Sequence, residues 1–124
     1  MSRSQDTSIR LRVLIIDPHE VSRAAVRALL QTEGVDVVAD VSSGELALAL
    51  GDVSPDIAVI DISRGTSEAF TVAAALARLP SMPTVVLTSS TAPDAALNGQ
   101  MFIAKPDLCA RRLRLAMRPH ERDS

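Results

Sequence analysis

Apolar residues recur along the chain in two patterns, which together predict β-strands and α-helices in alternation. Five short runs are almost continuously apolar and rich in β-branched residues. That pattern is typical of strands that are buried on both faces of a sheet. The predicted strands are Leu11–Ile16, Val35–Val41, Asp56–Asp61, Thr84–Thr88 and Met101–Ala104.

The segments between these strands carry helix signals. In the first segment Asp17 suits the N-cap and Pro18 the first helical position, and Gly34 marks the end of the helix. Valine, alanine and leucine residues spaced three and four positions apart supply its apolar helical stripe. The other predicted helices are a short one that starts at Ser42–Glu45 and closes at Gly51, one over Ser67–Leu79 and a last one over Leu108–Met117.

The connection between the fourth and fifth strands is unusually short. It comprises Thr91–Gln100 and contains a proline and an Asn-Gly pair, both of which favour turns. A crossover between parallel strands needs roughly 10–12 residues or more, helix included. The fourth helix is therefore predicted to be little more than a turn around Asp94–Leu97.

Regular alternation of strand and helix predicts a single sheet of parallel strands joined by right-handed crossovers. With five strands this is an α/β, flavodoxin-like, doubly wound sheet of order 2-1-3-4-5, here with a shortened fourth helix. The length suits one domain. We place that domain at residues 10–118, with a disordered polar tail at 1–9 and a polar C-terminal tail at 119–124.

Composition narrows the class of protein. A net charge of -2 and only two aromatic residues, Phe70 and Phe102, argue against direct nucleic-acid binding. The single cysteine, Cys109, excludes an internal disulfide and fits a reducing compartment. No apolar run approaches the roughly 20 residues of a membrane span. We therefore expect a cytoplasmic domain without a membrane segment.

Four chemically capable side chains follow different predicted strands. They are Asp17, Asp61, Thr88 and Lys105, the last being the chain's only lysine. Ligands of doubly wound sheets bind at the carboxyl ends of the strands, so these side chains should converge. Each also has a structural interpretation. The two acids suit an N-cap and a loop start, the threonine suits a strand end, and the lysine suits a solvated charge.

Four stretches, taken in order, match the motif series of one known family. They are Val13–His19, Pro55–Asp61, Val85–Ser89 and Phe102–Pro106. Over roughly residues 11–118 the chain resembles the receiver domain of bacterial response regulators. The resemblance implies a signalling module of a two-component phosphorelay rather than an enzyme.

The family's functional residues map onto matching positions of this chain. The resemblance implies that Asp61 is phosphorylated by a histidine kinase or a phosphotransfer protein. It further implies that Thr88 bonds a phosphoryl oxygen and that Lys105 pairs with Asp61 across a cis Lys105–Pro106 bond. Phe102 matches the family's aromatic switch position, and it also suits the core.

The implied metal site departs from the family pattern. The resemblance implies Mg²⁺ held by Asp17, Asp61 and the backbone carbonyl of Ser63. The family usually has two adjacent acids after the first strand, and here the second position is Pro18. Mg²⁺ binding is therefore expected to be weak or absent. Arg64, where the family usually has methionine, is expected to face solvent.

The implied partners are a histidine kinase or phosphotransfer protein and a downstream protein, with a homodimer also possible. The first or last helix should carry these contacts, and the last is favoured because it is rich in arginine. The alternative function is that of a degenerate pseudo-receiver, an interaction or dimerisation module that needs no phosphorylation. Cys109 is interpreted as a core cysteine, and His19 and His120 as surface histidines.

Overall fold

Strands and helices alternate along the chain as the hydrophobic pattern predicts. The structure is a computed structural model that describes residues 10–93, 97 and 99–117. Its strands are β1 (Arg12–Ile16), β2 (Asp36–Val41), β3 (Ile57–Asp61), β4 (Thr84–Thr88) and β5 (Met101–Phe102). Its α-helices are α1 (Glu20–Thr32), α2 (Gly44–Ala49), α3 (Thr66–Leu76) and α4 (Ala110–Met117), and a short 3₁₀ helix spans Lys105–Asp107.

All five strands form one parallel sheet in the order β2-β1-β3-β4-β5. This confirms the predicted flavodoxin-like, doubly wound α/β fold. Strand β3 lies at the centre and every one of its residues is buried. A continuous apolar strand suits that position because helices cover both faces of the sheet.

Two apolar layers lie on opposite faces of the sheet, because successive residues of a strand point in opposite directions. Val13 and Ile15 of β1 join the layer that packs under α1 and α4. Leu14 and Ile16 join the layer that packs under α2 and α3. Both layers are aliphatic, so the strand ends are held by close packing from two sides.

Several element boundaries differ from the prediction, among them the end of α3 at Leu76 instead of Leu79 and the three that follow. Helix α1 begins at Glu20 with His19 as N-cap, because the carboxylate of Asp17 binds the backbone and side chain of later residues instead of capping. Strand β5 ends at Phe102, two residues early. Helix α4 begins at Ala110, since the preceding 3₁₀ turn is a separate element.

The connection between β4 and β5 contains no helix among its described residues. Most of the predicted turn around Asp94–Leu97 lies outside the described residues, since 94–96 and 98 are not described. The predicted polar tails at 1–9 and 119–124 also lie outside them.

Candidate functional site

The backbone of the sheet brings the four candidate residues to one edge. Asp61 and Thr88 are register partners at the ends of β3 and β4. Asp17 directly follows β1, and its amide donates to the carbonyl of Val41 at 3.0 Å. Lys105 follows β5, and its amide donates to the carbonyl of Ser89 at 3.0 Å. The predicted convergence of these four residues is thus what the fold produces.

Lys105 joins the two carboxylates. Its Nζ lies 2.6 Å from Oδ2 of Asp61 and 3.0 Å from Oδ2 of Asp17. All three side chains are largely shielded from solvent. Burial would lower the pKa of Lys105, but the hydrogen bonds and charges of Asp61 and Asp17 outweigh it and raise that pKa above 10.5. The lysine is therefore a permanent cation between two acids.

Asp17 is held from three directions. Its Oδ1 accepts from the His19 amide at 2.8 Å, and its Oδ2 accepts from Ser22 Oγ at 3.0 Å as well as facing Lys105. Burial raises the pKa of this carboxyl, but the His19 amide, Lys105 and Ser22 together lower it below 3.8. Asp17 is consequently an anion at neutral pH.

Each oxygen of Asp61 has a different partner. Its Oδ1 accepts from the amide of Ser63 at 2.8 Å and from the Ser63 hydroxyl at 2.5 Å. Apart from the ion pair with Lys105, its buried Oδ2 has no hydrogen-bond partner among the described residues. The buried hydroxyl of Thr88 has no hydrogen-bond partner among the described residues. An unsatisfied polar atom is costly in a protein interior, and the Thr88 hydroxyl is available to a bound group.

His19 is exposed, which agrees with its interpretation as a surface histidine, and it also contacts the site. Its ring is half exposed, but Nδ1 lies 3.1 Å from Oδ1 of Asp17. One ligand atom each from Asp17, His19 and Asp61 lie within 4.8 Å of one another. The sequence signal was the spacing of two residues after an acid that ends a strand, which places both side chains at one helix entrance.

A small cleft leads to Asp61 from solvent. It has a volume of about 60 Å³ and lies between the residues after β1 and β2 and the start of α3. Pro18, Asp61 and Arg64 are among its lining residues. Arg64 itself is exposed, as expected. Gly65 has a φ of 117°, a conformation that glycine adopts readily, and this turns the chain from β3 into α3.

Comparison with known proteins identifies the family. The model of the response regulator receiver domain matches residues 13–107. The chain belongs to the response regulator receiver domain family. The family match confirms the resemblance seen in the sequence. It also agrees with the observed fold and with the general class of two-component signalling module.

Three relatives illustrate how far the likeness extends. A nitrate/nitrite response regulator protein homolog of Haemophilus influenzae is 36% identical over 56 residues, which are 44% of this chain and 27% of that protein. The chain thus matches only about a quarter of the length of this curated relative. The receiver domain of a response regulator, NarL, from Mycobacterium tuberculosis has a TM-score of 0.68 and 28% identity over 86% of this chain and 96% of that one. The receiver domain of a modulated diguanylate cyclase from Desulfovibrio desulfuricans has a TM-score of 0.68 and 26% identity over 87% and 90%.

The receiver domain keeps part of the acidic pocket in which the family binds Mg²⁺. Asp17 and Asp61 supply carboxylate oxygens, which are ligands that Mg²⁺ prefers. Pro18 supplies no side-chain ligand. Glu20 is exposed in the first turn of α1. The donor set therefore fits a divalent cation with one carboxylate fewer than usual.

The expected cis bond before Pro106 is wrong. The Lys105–Pro106 peptide is trans in this receiver domain. The reason is local, because the Lys105–Pro106 bond lies inside the 3₁₀ turn Lys105–Asp107, and the i to i+3 hydrogen bonds of a 3₁₀ helix use trans peptides. The turn is closed by the Asp107 amide, which donates to the carbonyl of Ala104 at 2.8 Å. Lys105 nevertheless reaches Asp61.

Phe102 and the last helix lie away from the acidic residues. Phe102 is half-buried and packs against the apolar layer under α2 and α3. Arg111, Arg112 and Arg114 of α4 are exposed. Cys109 is only partly buried, so its interpretation as a core cysteine holds in part. No helix in the described part of this receiver domain is long and apolar enough to cross a membrane.

Proposed function

We propose that this receiver domain accepts a phosphoryl group on Asp61 from a phosphohistidine of a histidine kinase or a phosphotransfer protein. One observation carries the proposal. A buried carboxylate paired with a lysine lies in register with an unpartnered threonine hydroxyl, beneath a cleft that opens to solvent. Phosphoryl transfer needs such an oxygen nucleophile with fixed donors around it.

The transfer itself exchanges one bond for another. A carboxylate oxygen of Asp61 attacks phosphorus, the P–N bond of the phosphohistidine breaks, and its electron pair stays on the imidazole. Lys105 then pairs with the added negative charge, since its raised pKa keeps it protonated. The Thr88 hydroxyl donates to a phosphoryl oxygen and gains the partner that it lacks.

Asp17, Asp61 and the backbone carbonyl of Ser63 would hold Mg²⁺, and Phe102 would be the aromatic residue that responds to phosphorylation. When bound, Mg²⁺ supplies positive charge that balances the phosphoryl oxygens. Because Pro18 offers no carboxylate, this binding should be weak. The chain's own cations, above all Lys105, would then carry more of the charge balance.

The test is phosphorylation by a small phosphodonor such as acetyl phosphate, followed by intact-protein mass spectrometry. The wild type should gain one phosphoryl group, and Asp61→Asn should gain none. Asp107→Asn is the matched control, because it removes an exposed carboxylate beside Lys105. Failure of the wild type to gain mass with or without Mg²⁺, or equal labelling of Asp61→Asn, would contradict the proposal.

A second function has a specific observation in its favour. With Pro18 in place of an acid and Lys105 between the two remaining carboxylates, the pocket has less negative charge for a metal. This favours a pseudo-receiver that works as an interaction or dimerisation module without phosphorylation. An unlabelled protein that still binds its partner would support this alternative.

We further propose that the module acts in the cytoplasm through protein contacts and not as an enzyme. The net charge and the scarcity of aromatic residues support the absence of direct nucleic-acid binding by this domain. The exposed arginines of α4 would suit an acidic downstream partner, or a second copy of the chain in a homodimer.

A further inference from the structure

His19 offers a ligand of a kind that an all-oxygen magnesium site does not use. Its Nδ1 faces Oδ1 of Asp17 at 3.1 Å. Two ligands that are each about 2.1 Å from one metal ion lie roughly 3 Å apart at right angles and roughly 3.4 Å apart at tetrahedral angles. The observed distance is that of a hydrogen bond, so the two atoms share one proton, and a metal ion that displaces the proton would have both atoms as neighbouring ligands.

Lys105 leaves this side of the pocket open. It contacts Oδ2 of Asp17, whereas His19 faces Oδ1 of the same carboxylate. An ion bound between Oδ1 and the imidazole therefore leaves the lysine contact intact. Asp61, whose side chain has no solvent exposure, completes the cluster through a carboxylate oxygen.

The missing acid changes which ion the remaining donors suit. Mg²⁺ prefers oxygen ligands and near-ideal octahedral geometry. Imidazole suits zinc, cobalt, nickel and copper instead. We propose that Asp17, His19 and Asp61 form a site that favours a borderline transition-metal dication such as Zn²⁺ or Co²⁺ over Mg²⁺, with Nδ1 of His19 as the ligand that Pro18 cannot supply. The inference rests on the same pocket as the proposed function but not on phosphorylation.

Calorimetric titration with Zn²⁺, Co²⁺ and Mg²⁺ separately tests this, with no phosphodonor present. Most nitrogen-containing sites bind Zn²⁺ more tightly than Mg²⁺, so the readout is the ratio of the two affinities. We expect His19→Asn to lower the Zn²⁺ affinity by at least about tenfold while leaving the Mg²⁺ affinity within about twofold. The visible spectrum of bound Co²⁺ should change in the same variant.

Two controls separate this site from other binding. His120→Asn removes the only other histidine and should leave the ratio unchanged. Pro18→Asp restores the oxygen ligand and should strengthen Mg²⁺ binding about tenfold, which lowers the ratio. His19→Asn should fold normally because asparagine is a favoured N-cap, and circular dichroism checks this.

Three results would overturn the inference. They are an unchanged ratio in His19→Asn, a loss of Zn²⁺ binding in His120→Asn instead, and no Zn²⁺ or Co²⁺ binding by the wild type. Each differs from failure of the proposed function, which appears as missing phosphorylation whatever the metal titration gives.

Discussion

The two ends of the same sheet carry polar clusters of opposite character. At the amino end, Arg12 donates to Oδ2 of Asp36 at 3.1 Å and to the carbonyls of Val53 and Ser54 at 2.8 and 2.9 Å. Both charged side chains of this pair are more than two-fifths exposed. The Arg12 guanidinium is therefore fully engaged in hydrogen bonds, and the cluster is exposed to solvent.

The polar residues at the carboxyl end are buried, and their hydrogen bonding is incomplete. Asp17, Asp61 and Thr88 are buried, and the Thr88 hydroxyl has no hydrogen-bond partner among the described residues. A buried polar atom without a partner costs roughly 1–3 kcal/mol, and folding alone gives no reason to keep it. The hydrogen bonds at the amino end hold loop carbonyls in place. The unpartnered hydroxyl at the carboxyl end marks where a ligand would bind.

Removal of the lysine should give the largest effect. Lys105→Met leaves two buried carboxylates facing each other without a cation, and we expect a loss of about 3 kcal/mol in the free energy of unfolding at pH 7. Urea unfolding measures it. Arg64→Met is the control, since it removes an exposed charge beside the same cleft and should change stability by less than about 0.5 kcal/mol. Equal losses in both variants would mean that the buried ion pairs do not matter to stability.

The arginine at the amino end should contribute less. Arg12→Met removes bonds to one carboxylate and two carbonyls, and we expect a loss of about 1–2 kcal/mol, because these groups regain water when exposed. Phosphorylation and metal binding should stay unchanged. Arg10→Met is the control, since its one bond, to the carbonyl of Gly34, is 3.3 Å long. A change in phosphorylation in Arg12→Met would contradict the claim that the amino end contributes to stability but not to ligand binding.

The unpartnered hydroxyl should act in the opposite sense. Thr88→Val keeps the shape but removes a buried polar atom without a partner, so we expect stability to rise by about 1 kcal/mol. Thr84→Val at the amino end of β4 is half-exposed and should change little. Beryllofluoride, a phosphoryl mimic, should raise the Tm of the wild type more than that of Thr88→Val. A loss of stability in Thr88→Val would show that the hydroxyl already has a partner.

The sequence predicts the scaffold better than the chemistry around it. Continuous apolar runs and strand-end residues are enough to place Asp17, Asp61, Thr88 and Lys105 at one edge, because parallel strands all end on the same side. The periodic pattern contains no information on how a short polar loop folds back. That is why the pattern missed the Ser63 hydroxyl on Asp61 and the approach of His19 to Asp17.

Two local predictions were wrong, the N-cap role of Asp17 and the cis bond before Pro106, because contacts in the folded structure decided each outcome. Asp17 suits an N-cap by position, but a buried lysine, an amide and Ser22 offer its carboxylate more hydrogen bonds than a helix end would. The cis bond before Pro106 came from the resemblance alone. Whether a proline bond is cis depends on the turn that follows, and here that turn is 3₁₀.

The smallest effect is a difference in pH dependence between two acids, one at each end. The pKa of Asp17 is lowered because the His19 amide, Lys105 and Ser22 together outweigh the opposing effect of burial. The pKa of Asp52 is lowered by the Ser54 amide and further by Ser81, against the opposing effect of burial.

A carboxyl whose pKa is lower in the folded than in the unfolded state stabilises the fold above its unfolded pKa, here about 3.8. That stabilisation is lost as the pH falls through the folded pKa. In chelator, urea midpoints of wild type, Asp17→Asn and Asp52→Asn should therefore be compared from pH 6 to pH 2. The wild type should lose stability relative to each variant as the pH falls below about 4, and more so relative to Asp17→Asn, because solvent screens Asp52. A steeper pH dependence relative to Asp52→Asn would mean that Asp52, and not the buried Asp17, has the stronger electrostatic interactions.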